Sequence, residues 1–186
     1  MRLFVSIELS DEVRNSLRRA QEQLAEIVKA KWTAADQFHL TLKFLGETAD
    51  PNVPKILEQL RGVRFDEALA LQTAGLVCFP PHGPIRIIAA AMKDEGGRCA
   101  ELQGEIDRAC HAAGFPLEGR RWTPHVTIGR VKDRVTAGAR AAVTSANLPS
   151  IDFEIDEFYL MESRLDRIGP HYTRVATFPQ PGHGVA

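Results

Sequence analysis

The chain has 186 residues, 44% hydrophobic and 25% charged, with 23 Lys and Arg against 24 Asp and Glu and a formal charge of −1. That length and balance suit one compact domain, or two small fused lobes, with enough apolar residues for a core. They argue against a protein that coats long stretches of nucleic acid, which relies on a large cationic excess, but leave room for a small pocket gripping one terminal phosphate. Cys78, Cys99 and Cys110 are odd in number and form no C-x-x-C pair. A disulfide framework or a cysteine zinc site is therefore not expected, and the three are predicted to be small buried hydrophobes in a reducing cytosol. The apolar run at 3–7 is too short for a signal-peptide core and no segment approaches the length of a membrane span, so a cytoplasmic location without membrane association is expected.

In chain order, residues 2–9 (RLFVSIEL) alternate and predict a strand. Ser10 is placed as the N-cap of a helix with Asp11 and Glu12 in its first turn and Val13, Leu17, Ala20, Leu24, Ile27 and Val28 on one stripe. Residues 38–45 (FHLTLKFL) predict a strand ended by Gly46. Pro51 opens a second helix, with Val53, Ile56, Leu57 and Leu60 inside and Gly62 closing it, and residues 68–79 predict a third strand. The pattern then restarts. Residues 85–92 predict a strand, 96–113 a helix stopped by Gly114, 121–131 a strand bent or edged at Pro124, 135–146 a weaker helix, 151–161 an alternating strand, and 171–178 a last short one.

Within this degenerate two-fold repeat, two tripeptides recur at matched places. Phe38-His39-Leu40-Thr41-Leu42 places its histidine 37 positions after the start of its leading strand, and Pro124-His125-Val126-Thr127-Ile128 places its own 40 after. The repeat predicts a single domain over 1–186 with halves at about 1–82 and 83–178 and a tail at 179–186. On a strand, side chains alternate faces, so each His and Thr share one face while Leu40, Leu42, Val126 and Ile128 anchor the other. If the two strands lie side by side, two imidazoles and two hydroxyls face one cleft. That set suits in-line attack on a phosphodiester. One imidazole takes a proton from water and the other gives one to the departing sugar oxygen, both near neutral pH. The threonine hydroxyls donate to non-bridging phosphate oxygens. A single H-x-T is commonplace, and only the framed, repeated pair carries weight. No H-x-H, H-E-x-x-H or Walker loop accompanies it, so neither a metal nor a nucleotide cofactor is expected.

Two such motifs half a chain apart resemble the two-histidine phosphoesterase superfamily, and within it the RNA 2',3'-cyclic phosphodiesterases, historically called 2'-5' RNA ligases. The resemblance rests on RLFVSIEL, FHLTLKFLGE, GFPLEGRRWTPHVTIGRV and GPHYTRVATFP and covers nearly the whole chain. It implies an α+β fold of two pseudo-symmetric lobes, each an antiparallel sheet with helices outside, around a central cleft carrying the two HxTx motifs. It implies hydrolysis of RNA 2',3'-cyclic phosphate ends to 2'-phosphates, with a weak reverse 2'-5' ligation. His39 is then the proton donor, His125 the proton acceptor, and Thr41 and Thr127 bind phosphate; chemistry alone leaves the order of the two histidines open. The expected partner is RNA with a 2',3'-cyclic phosphate end, tRNA fragments among the candidates, handled by a monomer with no obligate protein partner. A phosphodiesterase for small cyclic nucleotides and a non-catalytic RNA-end binder are the alternatives. Ala89 departs from the pattern, standing where an aromatic is expected.

Three further residues are candidates for substrate binding. Lys43 shares parity with His39 and Thr41, so it either enters the cleft or is a solvated strand lysine. Arg130 completes H-x-T-x-x-R, but strict alternation turns it away unless a twist or bulge intervenes. Tyr172 is the favoured stacker of a terminal base. Trp32 and Trp122 are weaker stacking candidates, and Phe4 and Phe44 are expected in the core. Arg120, Arg121, Lys132 and Arg134 form a basic cluster, as suited to guiding an RNA backbone as to solvating an edge. His82, His111, His171 and His183 are expected to be surface or structural residues.

Overall fold

The computed structural model describes residues 1–63, 68–132, 138–165 and 169–178. Among these residues, nine strands and four helices run in the order β1 (Arg2–Glu8), α1 (Asp11–Ala25), β2 (Lys31–Trp32), β3 (His39–Glu47), α2 (Val53–Arg61), β4 (Leu69–Phe79), β5 (Ile87–Lys93), α3 (Arg98–Ala112), β6 (His125–Arg130), α4 (Ala139–Ser145), β7 (Asp152–Ile155), β8 (Phe158–Leu165) and β9 (Pro170–Phe178). Ser10 caps α1 by accepting the Val13 N–H, and Val13, Leu17, Ala20 and Leu24 are its buried stripe, as the pattern predicts; Ile27, placed on the same stripe, instead lies past the end of the helix at Ala25 and is 56% exposed. The tail at 179–186 with His183, Arg134, and the first residues of the predicted helix at 135–146 lie outside the described residues.

The strands form one antiparallel path, β7-β4-β5-β6-β3-β1-β8-β9, with β2 beside β6. The order is a palindrome in roles. Each leading strand (β1, β5) has its motif strand (β3, β6) on one side and the last long strand of the other repeat on its other side. Thus β4 pairs with β5 and β8 with β1. The two lobes interleave the chain: β4 of the first half joins β5, and β8 with β9 of the second half joins β1. The helices cross over as well: α3 packs behind β3 and α1 behind β6. Leu3, Val5, Ile7, Leu40, Leu42, Ile88, Ala90, Val126 and Ile128 fill the space between sheet and helices.

Three strand expectations change. The strand predicted at 151–161 is two strands: β7 pairs with β4 at one end of the sheet, and β8 pairs with β1 near the other. Alternation carries straight through this change of partner because it encodes only which face is apolar. Gly46 does not end β3 but sits inside it at φ +71°, with the register slipping by one residue beside it. The strand predicted from 121 begins only at His125; Pro124 has no N–H to give a ladder, although its carbonyl accepts the Met92 N–H. The two-residue β2 is too short to leave a periodic signal.

Candidate active site

The motif strands meet at one pair, Leu40 with Val126. Counting outward along an antiparallel ladder sets His39 across from Thr127 and Thr41 across from His125, all on the face opposite the buried Leu40 and Val126. The histidines are diagonal neighbours, a relation in which backbones typically stand about 7–8 Å apart. Both rings are partly exposed. Beyond the single pair β6 takes β2 as its neighbour instead, Lys31 opposite Arg130 and Trp32 opposite Gly129, and the motif strands part to open the cleft.

Both imidazoles are held the same way. His39 Nδ1 lies 2.8 Å from the Gln37 carbonyl oxygen, and His125 Nδ1 lies 2.8 Å from that of Thr123. A carbonyl only accepts, so Nδ1–H donates in each case and Nε2 is presented for proton transfer. Their surroundings differ. His39 is packed 4.9 Å from the Phe4 ring and 5.1 Å from Tyr172, which meets it edge-on. Burial lowers the His39 pKa below 6.5, the Gln37 bond opposes this, and the Arg14 and Arg130 charges add to the lowering. Among the described residues, His125 has one aromatic neighbour, Phe79, at 4.9 Å. Glu8, the strand partner of His39, has its carboxylate occupied by Arg174 at 2.6 Å.

A bulge accompanies each threonine. On β3, Ser6 faces Thr41 and Val5 faces Lys43, which leaves Leu42 unpaired. On β6, Ala89 faces Thr127 and Ile88 faces Gly129, which leaves Ile128 unpaired. Each bulge turns a carbonyl out of the ladder, and a glutamine from behind the sheet satisfies it. Gln21 Nε2 of α1 donates to Ile128 O at 2.6 Å, and Gln103 Nε2 of α3 to Leu42 O at 3.2 Å. These glutamines, 8% exposed each, carry no signal in the sequence beyond being polar residues on helices.

The bulges reverse the parity of the residues after them. Arg130 pairs with Ile87, two residues from Ala89, and so rejoins the His125–Thr127 face; its charge acts on both His39 and Tyr172. The bulge that Arg130 requires is present. Lys43 is turned the other way. It is 5% exposed and lies behind the sheet, its Nζ 2.6 Å from Asp107 Oδ1 and 2.8 Å from the Pro116 carbonyl. Both readings of Lys43 are therefore corrected: it neither enters the cleft nor is solvated. Phe44 occupies the place in β3 that Arg130 occupies in β6, and is 67% exposed rather than in the core. Phe4, by contrast, is buried, as predicted.

Among the stacking candidates, Tyr172 reaches the site. Trp32 does not: as the partner of Gly129 it lies behind the sheet, where a Cβ on Gly129 would fall 2.8 Å from its ring. Trp122 donates its indole N–H to the Thr41 carbonyl at 3.1 Å, bracing the point where the motif strands diverge. Ala89 is fully buried opposite Thr127, and the aromatic beside His125 comes from Phe79 of β4, a contribution the sequence pattern does not disclose. Arg120 and Arg121 precede β6 while Lys132 comes after it, so the basic sequence cluster is split along the strand. Cys78, Cys99 and Cys110 are buried and free, with Cys99 and Cys110 pushed up to about 12 chiefly by burial. Among the described residues no three of His, Cys, Asp or Glu gather as a metal set, and no helix is long and apolar enough to cross a membrane.

Comparison with known proteins agrees with this geometry. Residues 9–167 match the model of the 2'-5' RNA ligase superfamily. A curated RNA 2',3'-cyclic phosphodiesterase of Thermus thermophilus is 31% identical, over 99% of this chain and 93% of that protein. One from Archaeoglobus fulgidus is 27% identical over 96% and 99%. The crystal structure of TT0787 from Thermus thermophilus superposes with a TM-score of 0.80 at 27% identity, covering 99% of this chain and all of that one. With its paired H-x-T strands and this span of similarity, the chain belongs to the 2'-5' RNA ligase superfamily.

Proposed function

We propose that the protein hydrolyses RNA 2',3'-cyclic phosphate ends to 2'-phosphates, with His39 and His125 as the acid–base pair. The carrying observation is that two imidazoles with identical Nδ1 anchoring present Nε2 to one face, each across from a threonine of the other motif. In the reaction, His125 Nε2 takes a proton from water as its oxygen forms the new bond to phosphorus. The P–O3' bond breaks, and His39 Nε2–H gives its proton to the 3' oxygen. Thr41 and Thr127 hydroxyls donate to the non-bridging oxygens, Arg130 adds a cation near them, and Tyr172 offers an edge for the terminal base. With an RNA 5'-hydroxyl in place of water as the attacking group, the same steps in the same order form a 2'-5' linkage: the 5' oxygen bonds to phosphorus, its proton goes to His125, and the P–O3' bond breaks with the His39 proton passing to the 3' oxygen. Named relatives supply the substrate class. The reaction needs neither metal nor nucleotide, since the two histidines provide both proton transfers. The three buried free thiols suit a monomer working in the reducing cytoplasm.

The test is to incubate the protein, with and without EDTA, with an RNA ending in a 2',3'-cyclic phosphate and to identify the monoester. The expected product is the 2'-phosphate in both cases. His39→Ala and His125→Ala should each lower kcat by about 10²–10⁴-fold with little change in folding. A near-normal rate in either variant removes the acid–base pair, and complete loss on chelation removes the metal-free reaction.

A further inference from the structure

We propose that a cationic track over β2 and the end of β6, made of Lys31, Lys29 and Lys132 beyond Arg130, binds the backbone phosphates of a single-stranded RNA whose 3' end lies in the cleft. This rests on the cyclic phosphodiesterase reading and selects an RNA strand, rather than a free nucleotide, as the substrate.

The geometry starts at Arg130, which the bulge at Ile128 returns to the cleft face and whose charge reaches His39. Lys31 is its direct cross-strand partner, so the two side chains leave the sheet on the same face. Like charges directly opposite are destabilising in an antiparallel pair, and this pair is formed by the two-residue strand that replaces β3 beside β6. Next to it, Lys29, Ala30, Lys31 and Lys132 line a depression of about 220 Å³. Lys29, Lys31, Lys132 and Arg130 are all exposed. No carboxylate pairs with any of the four among the described residues, although acidic residues outnumber basic ones in the chain. The pseudo-symmetric exit at the other end of the cleft carries Phe44 where this one carries Arg130, so the two exits differ at this position. A line of exposed cations with no carboxylate partner among the described residues, leading away from the proposed phosphate site, matches a polyanion that continues past the reacting group. A mononucleotide would end before reaching it.

The experiment compares wild-type protein with the triple variant Lys29→Gln, Lys31→Gln, Lys132→Gln. Affinity for a short single-stranded RNA ending in a 2'-phosphate is measured by fluorescence anisotropy across a salt series, with turnover of a nucleoside 2',3'-cyclic phosphate measured alongside. The expected result is at least a ~10-fold loss of RNA affinity and a salt dependence shallower by about 2 in log–log slope, three phosphate contacts at about 0.7 each. Mononucleotide turnover should stay within about two-fold of wild type. The control Lys55→Gln, Arg61→Gln on α2 removes two exposed charges elsewhere and should leave affinity nearly unchanged. Unchanged RNA affinity and slope in the triple variant, an equal loss in the control, or no RNA binding by the wild type would each overturn the track. Because binding is read on an RNA that is not turned over, failure of the cyclic phosphodiesterase chemistry would appear separately, as a wild-type protein that binds this RNA and opens no cyclic phosphate.

Discussion

The two motif strands are built to one plan and filled differently. Each carries His-x-Thr on the cleft face, a bulge one residue later, a helix glutamine on the bulged carbonyl, and an Nδ1 anchor on the carbonyl two residues before the histidine. At the first position after each bulge, β3 has Lys43 paired to Asp107 behind the sheet, and β6 has Gly129 beneath Trp32. At the second, β3 has exposed Phe44 and β6 has Arg130. What the halves share is what sets two Nε2 atoms and two hydroxyls on one face of the sheet. What they do not share gives the cleft a direction, with a cation at one end and an aromatic ring at the other. In the proposed reaction, pseudo-symmetry therefore supplies the acid–base pair, and its local breaking gives the substrate a direction.

Substitutions at matched positions separate the shared plan from the differing fill. The largest effect is expected behind the sheet. Lys43→Met removes the cation from a buried ion pair and should destabilise the fold by about 3–5 kcal/mol; the Glu118 N–H, 3.0 Å from Asp107 Oδ2, holds the loss toward the lower end. Gly129→Ala at the matching place should cost about 1–3 kcal/mol through overpacking against Trp32. Denaturant titration measures both, and kcat of the folded fraction should be nearly unchanged in Lys43→Met. A drop in kcat there with stability intact would return Lys43 to the cleft. Next come the glutamines. Gln21→Leu and Gln103→Leu each leave a buried carbonyl short of a partner, at about 1–3 kcal/mol. Gln21→Leu should cost at least as much as Gln103→Leu: Ile128 O keeps the Thr33 N–H at 3.0 Å, but the Thr33 carbonyl also loses its Gln21 donor at 2.8 Å. A clearly smaller loss in Gln21→Leu would show that the bond to the Thr33 carbonyl contributes nothing.

Much of this plan is legible in the sequence because it rests on local periodicity. Alternation at 2–9 and 38–45 and the capped stripe from Ser10 give strands and a helix their type, and the repeat of H-x-T within an apolar frame points to the candidate site. What escapes is whatever depends on a partner distant in the chain. The exchange of β4 and β8 between lobes leaves no trace, since a strand's pattern states which face is buried and not beside whom. A bulge is one residue of slippage against another strand. Parity counted without it sends Lys43 into the cleft and Phe44 into the core, the reverse of what is found. Arg130 escapes that error only because its expected role already demanded a bulge. Phe79 is silent for the same reason: it serves His125 from a strand of the other repeat.

The smallest effect concerns the two rings themselves. His39 is enclosed by Phe4 and Tyr172, and its burial, with Arg14 and Arg130 nearby, sets its pKa below the ordinary 6.5. The folded protein therefore binds this proton less readily than the unfolded chain does. The corresponding stability is fully present above about 6.5 and declines as pH falls from there through the lowered folded value. His39→Asn should flatten that part of the wild-type curve of Tm against pH. A general acid must nonetheless carry its proton when the substrate is bound. The resolution is electrostatic: an anionic phosphate placed against Nε2 favours the imidazolium and offsets the desolvation that disfavours it. Titration of the His39 ring protons by NMR should give a pKa below 6.5 in the free protein and an upward move when a nucleoside 2'-phosphate is added. The enclosed histidine is then an acid only in the complex, charged by the substrate it is about to protonate. A His39 pKa that stays put when the phosphate binds would assign the acid's part to His125, the more open of the two rings.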